Sequence, residues 1–308
     1  MLKRKLQIGI AGYGRLGRAL HTYYQERDNV ANPRYEVYVQ DLKAGNFEEA
    51  GMLDILNICF PYRKHFVSDV LAYLKEHHPF LCLLHTEVKP GTTKEIRNWI
   101  QNSGIYSEIA ASPIIGPKND LLRSLRLFKK MLGYDSETAK ELATIHLREL
   151  GFQIFPMENS TNAELAILVA QSGRLVDQAW AQQRARICKT FQANENQILE
   201  VINQVWNPGF AEYGKSEMLL PVEKAKVIAP PGLQPVCLLN KIKPAWILNA
   251  VLKSNRRRTK EEAFKRPLFI YTRITLMPFK RNLQYLLNRI DELRRILLSK
   301  LKKSSKIK

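Results

Sequence analysis

The sequence predicts an α/β protein: a doubly wound parallel sheet, then a smaller all-helical domain, then a basic helical tail. Three observations predict it. Short apolar runs alternate with helical patterns over about the first 150 residues, strand patterns cease after Phe155, and basic residues crowd the end of the chain.

Leu6 to Ala11 is a short apolar run entering a glycine-rich turn, and Arg15 to Tyr24 follows with Leu16, Leu20 and Tyr23 on one helical face. Tyr35 to Gln40 alternates apolar and polar residues up to Asp41, and Leu53 to Phe60 is an apolar run stopped by Pro61, so both read as strands. Helix over Phe66 to Glu76, strand over Leu81 to His85, helix over Thr93 to Asn102 and strand over Ser107 to Ala111 continue the alternation. Such alternation implies parallel strands joined by right-handed crossovers. Beyond Phe155, Asn162 to Gln192 is a long helical stretch with Leu165, Leu168, Val169, Gly173, Val176 and Trp180 along one side, and Glu195 to Asn203 adds a shorter helix. The expected domains are therefore 1–155, 156–250 and a tail at 251–308.

At 308 residues and 45% hydrophobic content, the chain can bury two cores. No run approaches the roughly 20 apolar residues of a membrane span, so neither a signal peptide nor a transmembrane helix is expected. Cys59, Cys82, Cys188 and Cys237 lack metal spacing, as do the six histidines, which fits reduced thiols in the cytoplasm and no metal. The net charge of +19 is uneven: Val251 to Lys308 holds 18 Lys/Arg against 4 Asp/Glu, supplying +14 and leaving +5 for the rest. The basicity belongs to the tail, and no nucleic-acid motif accompanies it.

Gly12, Gly14 and Gly17 form G-x-G-x-x-G between a strand and a helix, and Asp41 stands 24 residues beyond Gly17 at the end of the next strand. Together these mark the phosphate-cradling turn of a Rossmann domain. Gly12 permits the tight turn, Gly14 lets backbone approach a pyrophosphate, and Gly17 allows close helix packing, with Tyr13, Arg15 and Leu16 completing the loop. Asp41 would accept the adenosine ribose hydroxyls, favouring NAD over NADP. The alternative is a tight turn with no ligand.

Further segments give the chain a specific resemblance, in order, to the UDP-glucose/GDP-mannose dehydrogenase family, in a short form without its C-terminal nucleotide-binding domain. Ile58-Cys59-Phe60-Pro61-Tyr62 is similar to the loop after the family's fourth strand, and the run from His85 to Thr93 is similar to its S-T-V-P-P-G-T segment. Ser112-Pro113-Ile114 resembles the loop after the next strand. Ala163-Glu164-Leu165-Ala166 resembles the start of the central helix, Trp206 to Phe210 its N-x-G-Y element, and Pro231 to Asn240 the loop bearing its nucleophilic cysteine. The resemblance covers residues 5 to about 250. It implies a two-step oxidation of a sugar alcohol by NAD through a cysteine thiohemiacetal, in surface polysaccharide synthesis, by a homodimer. It places Phe60, Pro61 and Thr86 at the cofactor, Cys237 as nucleophile and Asn240 at the substrate.

The chain departs from the family where catalysis is concentrated. Ile167 stands for the helix lysine, Gln171 for the asparagine, Glu87 for the threonine, and Gln234, Pro235 and Val236 for Gly-Gly-His. An isoleucine moves no proton, and a proline removes a backbone donor. Three readings result: a working NAD-dependent oxidoreductase on a nucleotide sugar, a catalytically silent NAD-binding scaffold or regulator, or a different reductase on the same two-domain plan with its chemistry taken over by other groups, Glu87 as a general base among them. For Cys237 the alternative to nucleophile is a buried structural thiol, for Glu87 an exposed loop carboxylate, and for Asn240, as for Asn162, a loop cap. In the tail, 281–301 carries leucines at helical spacing with arginines between, fit for a partner helix or an anionic membrane surface.

Overall fold

The computed structural model describes residues 4–28, 33–41, 52–117, 119–224, 234–242, 249–253 and 256. The leucine stripe of 281–301 and most of the basic linker before it lie outside the described residues. Among those described, one compact unit draws on Met1–Gly173 and Gln234–Ile242, and a second on Arg174–Leu233 and Lys243–Lys308.

The first unit is built on a seven-stranded sheet. Its elements run β1 (Leu6–Ala11), α1 (Arg15–Arg27), β2 (Tyr35–Gln40), β3 (Ile55–Ile58), α2 (Phe66–His77), β4 (Leu81–Leu84), α3 (Thr92–Ser103), β5 (Glu108–Ala111), α4 (Leu121–Leu127), β6 (Lys130–Tyr134), α5 (Glu137–Glu149) and β7 (Ile154–Pro156). The strand order is β2-β1-β3-β4-β5-β6-β7. Strands β2, β1, β3, β4 and β5 pair in parallel, so the order reverses between β1 and β3 and opens the crevice where doubly wound sheets take their ligands. This is the doubly wound Rossmann-type sheet the sequence predicts, with a helical segment after it.

Strands β3, β4 and most of β5 are buried along their length because helices cover both faces. Ile8, Ile10, Leu20, Tyr23, Tyr24, Leu83 and Leu147 form the core on one face, and Leu56, Ile58, Val70, Leu74, Cys82 and Ile96 the core on the other.

The sheet departs from the wholly parallel expectation at β6, which pairs with β5 antiparallel, Ala111 opposite Gly133. The connection after β5 contains only the seven-residue α4 and does not carry the chain back across the sheet, so β6 enters from the edge where the parallel strands end. Gly133 has no side chain for a steric reason: a Cβ there would lie 2.7 Å from the Ala163 Cβ and 2.6 Å from the Asn159 carbonyl.

That contact seats the start of α6 (Ser160–Thr190), a 31-residue helix that continues into the second unit. Its buried positions include Ala163, Glu164, Ile167, Leu168, Ser172, Leu175, Gln178, Ala181 and Gln182. The stripe predicted for this helix is rotated from that face: Leu168 is buried, but Leu165, Val169 and Trp180 are exposed. Apolar spacing alone misplaced the face because Glu164, Gln178 and Gln182 are buried polar groups. The second unit adds α7 (Glu195–Val201), a π turn (Ile202–Trp206) and α8 (Asn207–Glu212). There the buried Arg184 guanidinium faces Glu195 at 3.4 Å and donates to the Glu223 carbonyl at 2.5 Å. In the first unit, α9 (Gln234–Ile242) turns a segment expected to be a loop into a helix.

Candidate functional site

The glycine turn assembles as its spacing predicts. Gly12 has φ +96°, and a Cβ on it would lie 2.5 Å from the Phe60 amide nitrogen. A Cβ on Gly17 would lie 2.0 Å from the Gly12 carbonyl oxygen, whereas one on Gly14 would meet nothing within 4 Å. Two of the glycines therefore serve the packing of turn against helix and neighbouring loop, and the third leaves open space. Gly14 is the N-cap of α1 with no side-chain cap, and no acidic residue occupies the first turn. The positive end of the helix is thus uncompensated by its own side chains.

Asp41 follows β2 and accepts the Tyr13 backbone N–H at Oδ2, 2.7 Å, which places a carboxylate against the turn. The Tyr13 ring turns toward α1, its hydroxyl 2.6 Å from His21 Nδ1, and burial lowers the pKa of that imidazole. Arg15 is exposed, while Leu16 packs against the core. The Phe60 ring packs at a tilt against Phe66 and Tyr73, and exposed Pro61 and half-buried Tyr62 continue the loop. Gly12, Tyr13, Asp41 and Phe60 are therefore brought together.

The next cluster lies beyond β4. Thr86 and Glu87 are half-buried, and Glu87 Oε1 accepts from the Gln171 side-chain amide at 2.7 Å. Glu164, 2% exposed, accepts the Gly91 and Thr93 backbone N–H groups at 2.6 and 2.7 Å and the Thr93 hydroxyl at 2.6 Å. Gly91, the N-cap of α3, has no side chain to cap with, so α6 supplies the cap. Burial pushes the Glu164 carboxyl up, against the bonds from Thr93 and Gly91. Sequence reasoning gave this residue no role, because nothing local tells a capping glutamate from a solvated one.

Ile167 is 2% exposed and packs with Leu168 and Leu238, against Tyr62, Ile115 and Met131. Hydrocarbon thus fills the position where the resembled family has its lysine. Cys237 lies on α9, half-buried, between buried Val236 and Leu238, and Pro235 falls in the first turn, where a missing N–H costs nothing. Asn240 is three residues further along the same helix. The other described thiols are buried; Cys59 is pushed up to about 12 by burial, and Cys82 is pushed up likewise. Among the described residues no cluster of His, Cys, Asp and Glu could hold a metal, and no helix is long and apolar enough to cross a membrane.

No protein-family model and no curated protein matches the sequence. Solved structures do match. A UDP-D-ManNAc dehydrogenase from Pyrococcus horikoshii is 15% identical with a TM-score of 0.66, over 81% of this chain and 68% of that one. A UDP-glucose dehydrogenase from Pyrobaculum islandicum is 12% identical with a TM-score of 0.66, over 83% and 69%. A 3-hydroxyisobutyrate dehydrogenase from Mycobacterium tuberculosis, solved with L-serine, is 12% identical with a TM-score of 0.61, over 84% and 94%. The described chain has the fold of these dehydrogenases, the one from which the sequence motifs drew their resemblance.

Proposed function

We propose that this chain binds NAD and oxidises the alcohol of a nucleotide-sugar-like small molecule. The observation that carries the reading is the turn itself: an uncapped helix N-terminus, open space beside Gly14, and the Asp41 carboxylate held to the Tyr13 amide. These residues fit a dinucleotide. The amides opening α1 would hold the pyrophosphate, Asp41 the adenosine ribose, and Phe60, Pro61 and Thr86 the remainder. NAD, when bound, supplies the hydride acceptor. Glu87, oriented by Gln171, would take the alcohol proton, and Cys237 would attack an aldehyde product with Asn240 at the substrate. In this reading the protein is a cytoplasmic homodimer serving surface polysaccharide synthesis, with 281–301 contacting a partner helix or the membrane surface.

A second reading has one specific support. The apolar cluster around Ile167 offers no oxyanion stabiliser, which suits an NAD-binding homologue that has lost turnover and acts as a scaffold or regulator. Titration with NAD, followed by UDP-glucose, UDP-N-acetylhexosamines and GDP-mannose under NADH absorbance, separates the two. Binding with turnover supports the enzyme, binding without turnover on these sugars supports the silent homologue, and no binding of either nicotinamide dinucleotide defeats both.

A further inference from the structure

Behind the cofactor edge, Lys130, His85, Asn57, Tyr24 and His146 form an unbroken hydrogen-bonded chain through the core, each at most 4% exposed. Lys130 begins β6, and because β6 is antiparallel it lies where the parallel strands end. Its Nζ donates to the Ser112 carbonyl at 2.8 Å and reaches His85 Nδ1 at 3.2 Å. His85 Nδ1 is itself 2.9 Å from that carbonyl, and Nε2 is 2.8 Å from Asn57 Oδ1.

The protons can be placed. Asn57 Nδ2 points at the Gly9 carbonyl and the Tyr24 hydroxyl, at 3.2 and 3.3 Å, so Oδ1 faces His85 and can only accept. His85 must donate from Nε2, which leaves a lone pair on Nδ1 beside the Ser112 carbonyl. Two acceptors at that distance repel unless a donor bridges them, and Lys130 is that donor. We propose that Lys130 is a positioning residue for the cofactor edge, bridging Ser112 and His85 and so fixing the connections that leave β4 and β5.

His85 directly precedes Thr86, Ser112 directly follows β5, and the Ile114 N–H donates to the His85 carbonyl at 3.1 Å, so the bridge ties two edge segments together. The groups facing Lys130 are His85 after β4, Cys59 after β3 and the Phe152 ring 5.8 Å away, with Tyr24 of α1 and His146 of α5 further along the chain. Among the described residues no carboxylate pairs with it. Burial brings the lysine down to about 7 against an opposing pull from Cys59. The ammonium, the stronger donor, therefore gives way to the amine near neutrality.

The consequence for cofactor affinity rests on the dinucleotide reading; the bridge itself does not. Imidazole nitrogen NMR of the full chain without cofactor should find His85 as the Nε2–H tautomer with Nδ1 accepting a hydrogen bond; in Lys130→Met the Nδ1 resonance should shift toward that of a nitrogen without a donor, while Lys130→Gln, which keeps a donor, should hold it near the wild-type position. An unchanged Nδ1 resonance in folded Lys130→Met overturns the bridge. NAD affinity should be about tenfold weaker in Lys130→Met at about pH 6, with the gap closing to within about threefold at about pH 9, where the wild-type lysine is neutral. A gap equal at both pH values, or none, overturns the positioning role. Should the variants fail to fold, the wild type decides: its His85 must be Nε2–H with Nδ1 accepting a hydrogen bond, and its affinity must fall between those pH values. Absence of nicotinamide dinucleotide binding by the wild type defeats the cofactor reading and leaves the Nδ1 resonance to judge the bridge.

Discussion

Gln171 donates its side-chain amide to the Glu87 carboxylate across 2.7 Å, joining the α6 residue that stands for the family's asparagine to the loop residue that stands for its threonine. The two departures form one contact. If Glu87 is the base, Glu87→Gln should lower turnover by about 100-fold while leaving NAD affinity within about twofold. Steady-state NADH production alongside calorimetric titration checks it, and undiminished turnover removes Glu87 from the chemistry.

The glycines should separate by what surrounds them. Gly17→Ala drives a methyl to 2.0 Å from the Gly12 carbonyl and should cost about 2–4 kcal/mol of stability along with cofactor binding. Gly14→Ala meets open space in the free protein. It should change stability by less than about 1 kcal/mol yet weaken NAD by about tenfold or more, because the methyl takes the pyrophosphate's room. Urea denaturation and calorimetry read the two effects separately.

Asp41→Asn keeps an acceptor for the Tyr13 amide but removes the charge. Discrimination against NADP should therefore fall by about tenfold with little change in melting temperature. An unaltered ratio of NAD to NADP affinities would mean that the carboxylate does not face the ribose.

His146 should govern part of the acid stability. Burial holds the folded imidazole down at about 3, against an ordinary value of 6.5, so between these values the unfolded chain binds a proton that the folded chain refuses. Its contribution is fully present above 6.5 and is lost as pH falls toward 3, at up to about 1.4 kcal/mol per pH unit. In His146→Gln, which can still accept from Tyr24, denaturation midpoints should vary less across that window. Identical slopes in both proteins count against the assignment.

The α6 cap offers a fifth check. Glu164→Ala leaves the Gly91 and Thr93 amides without an acceptor and should destabilise the fold by about 2–4 kcal/mol, with Glu164→Gln intermediate. Equal stability of the alanine variant and wild type would show that water replaces the cap.

Local sequence determined the glycine turn, the strands and helices up to Ala111 and the general helicity beyond Phe155, because turn chemistry and apolar period act over a few residues. The elements from α4 to β7 were not legible: α4, β6 and β7 are short, and β6 begins with a lysine that reads as surface. Tertiary structure alone decided that β6 runs antiparallel, that Lys130 is buried against Ser112 and His85, that Glu164 caps α3 from a distant helix, and that Cys237 lies on a helix beside the Ile167 cluster. Each of these is a contact between residues far apart in the chain. Their polar groups find partners only once the sheet is closed, so no spacing in the sequence could announce them.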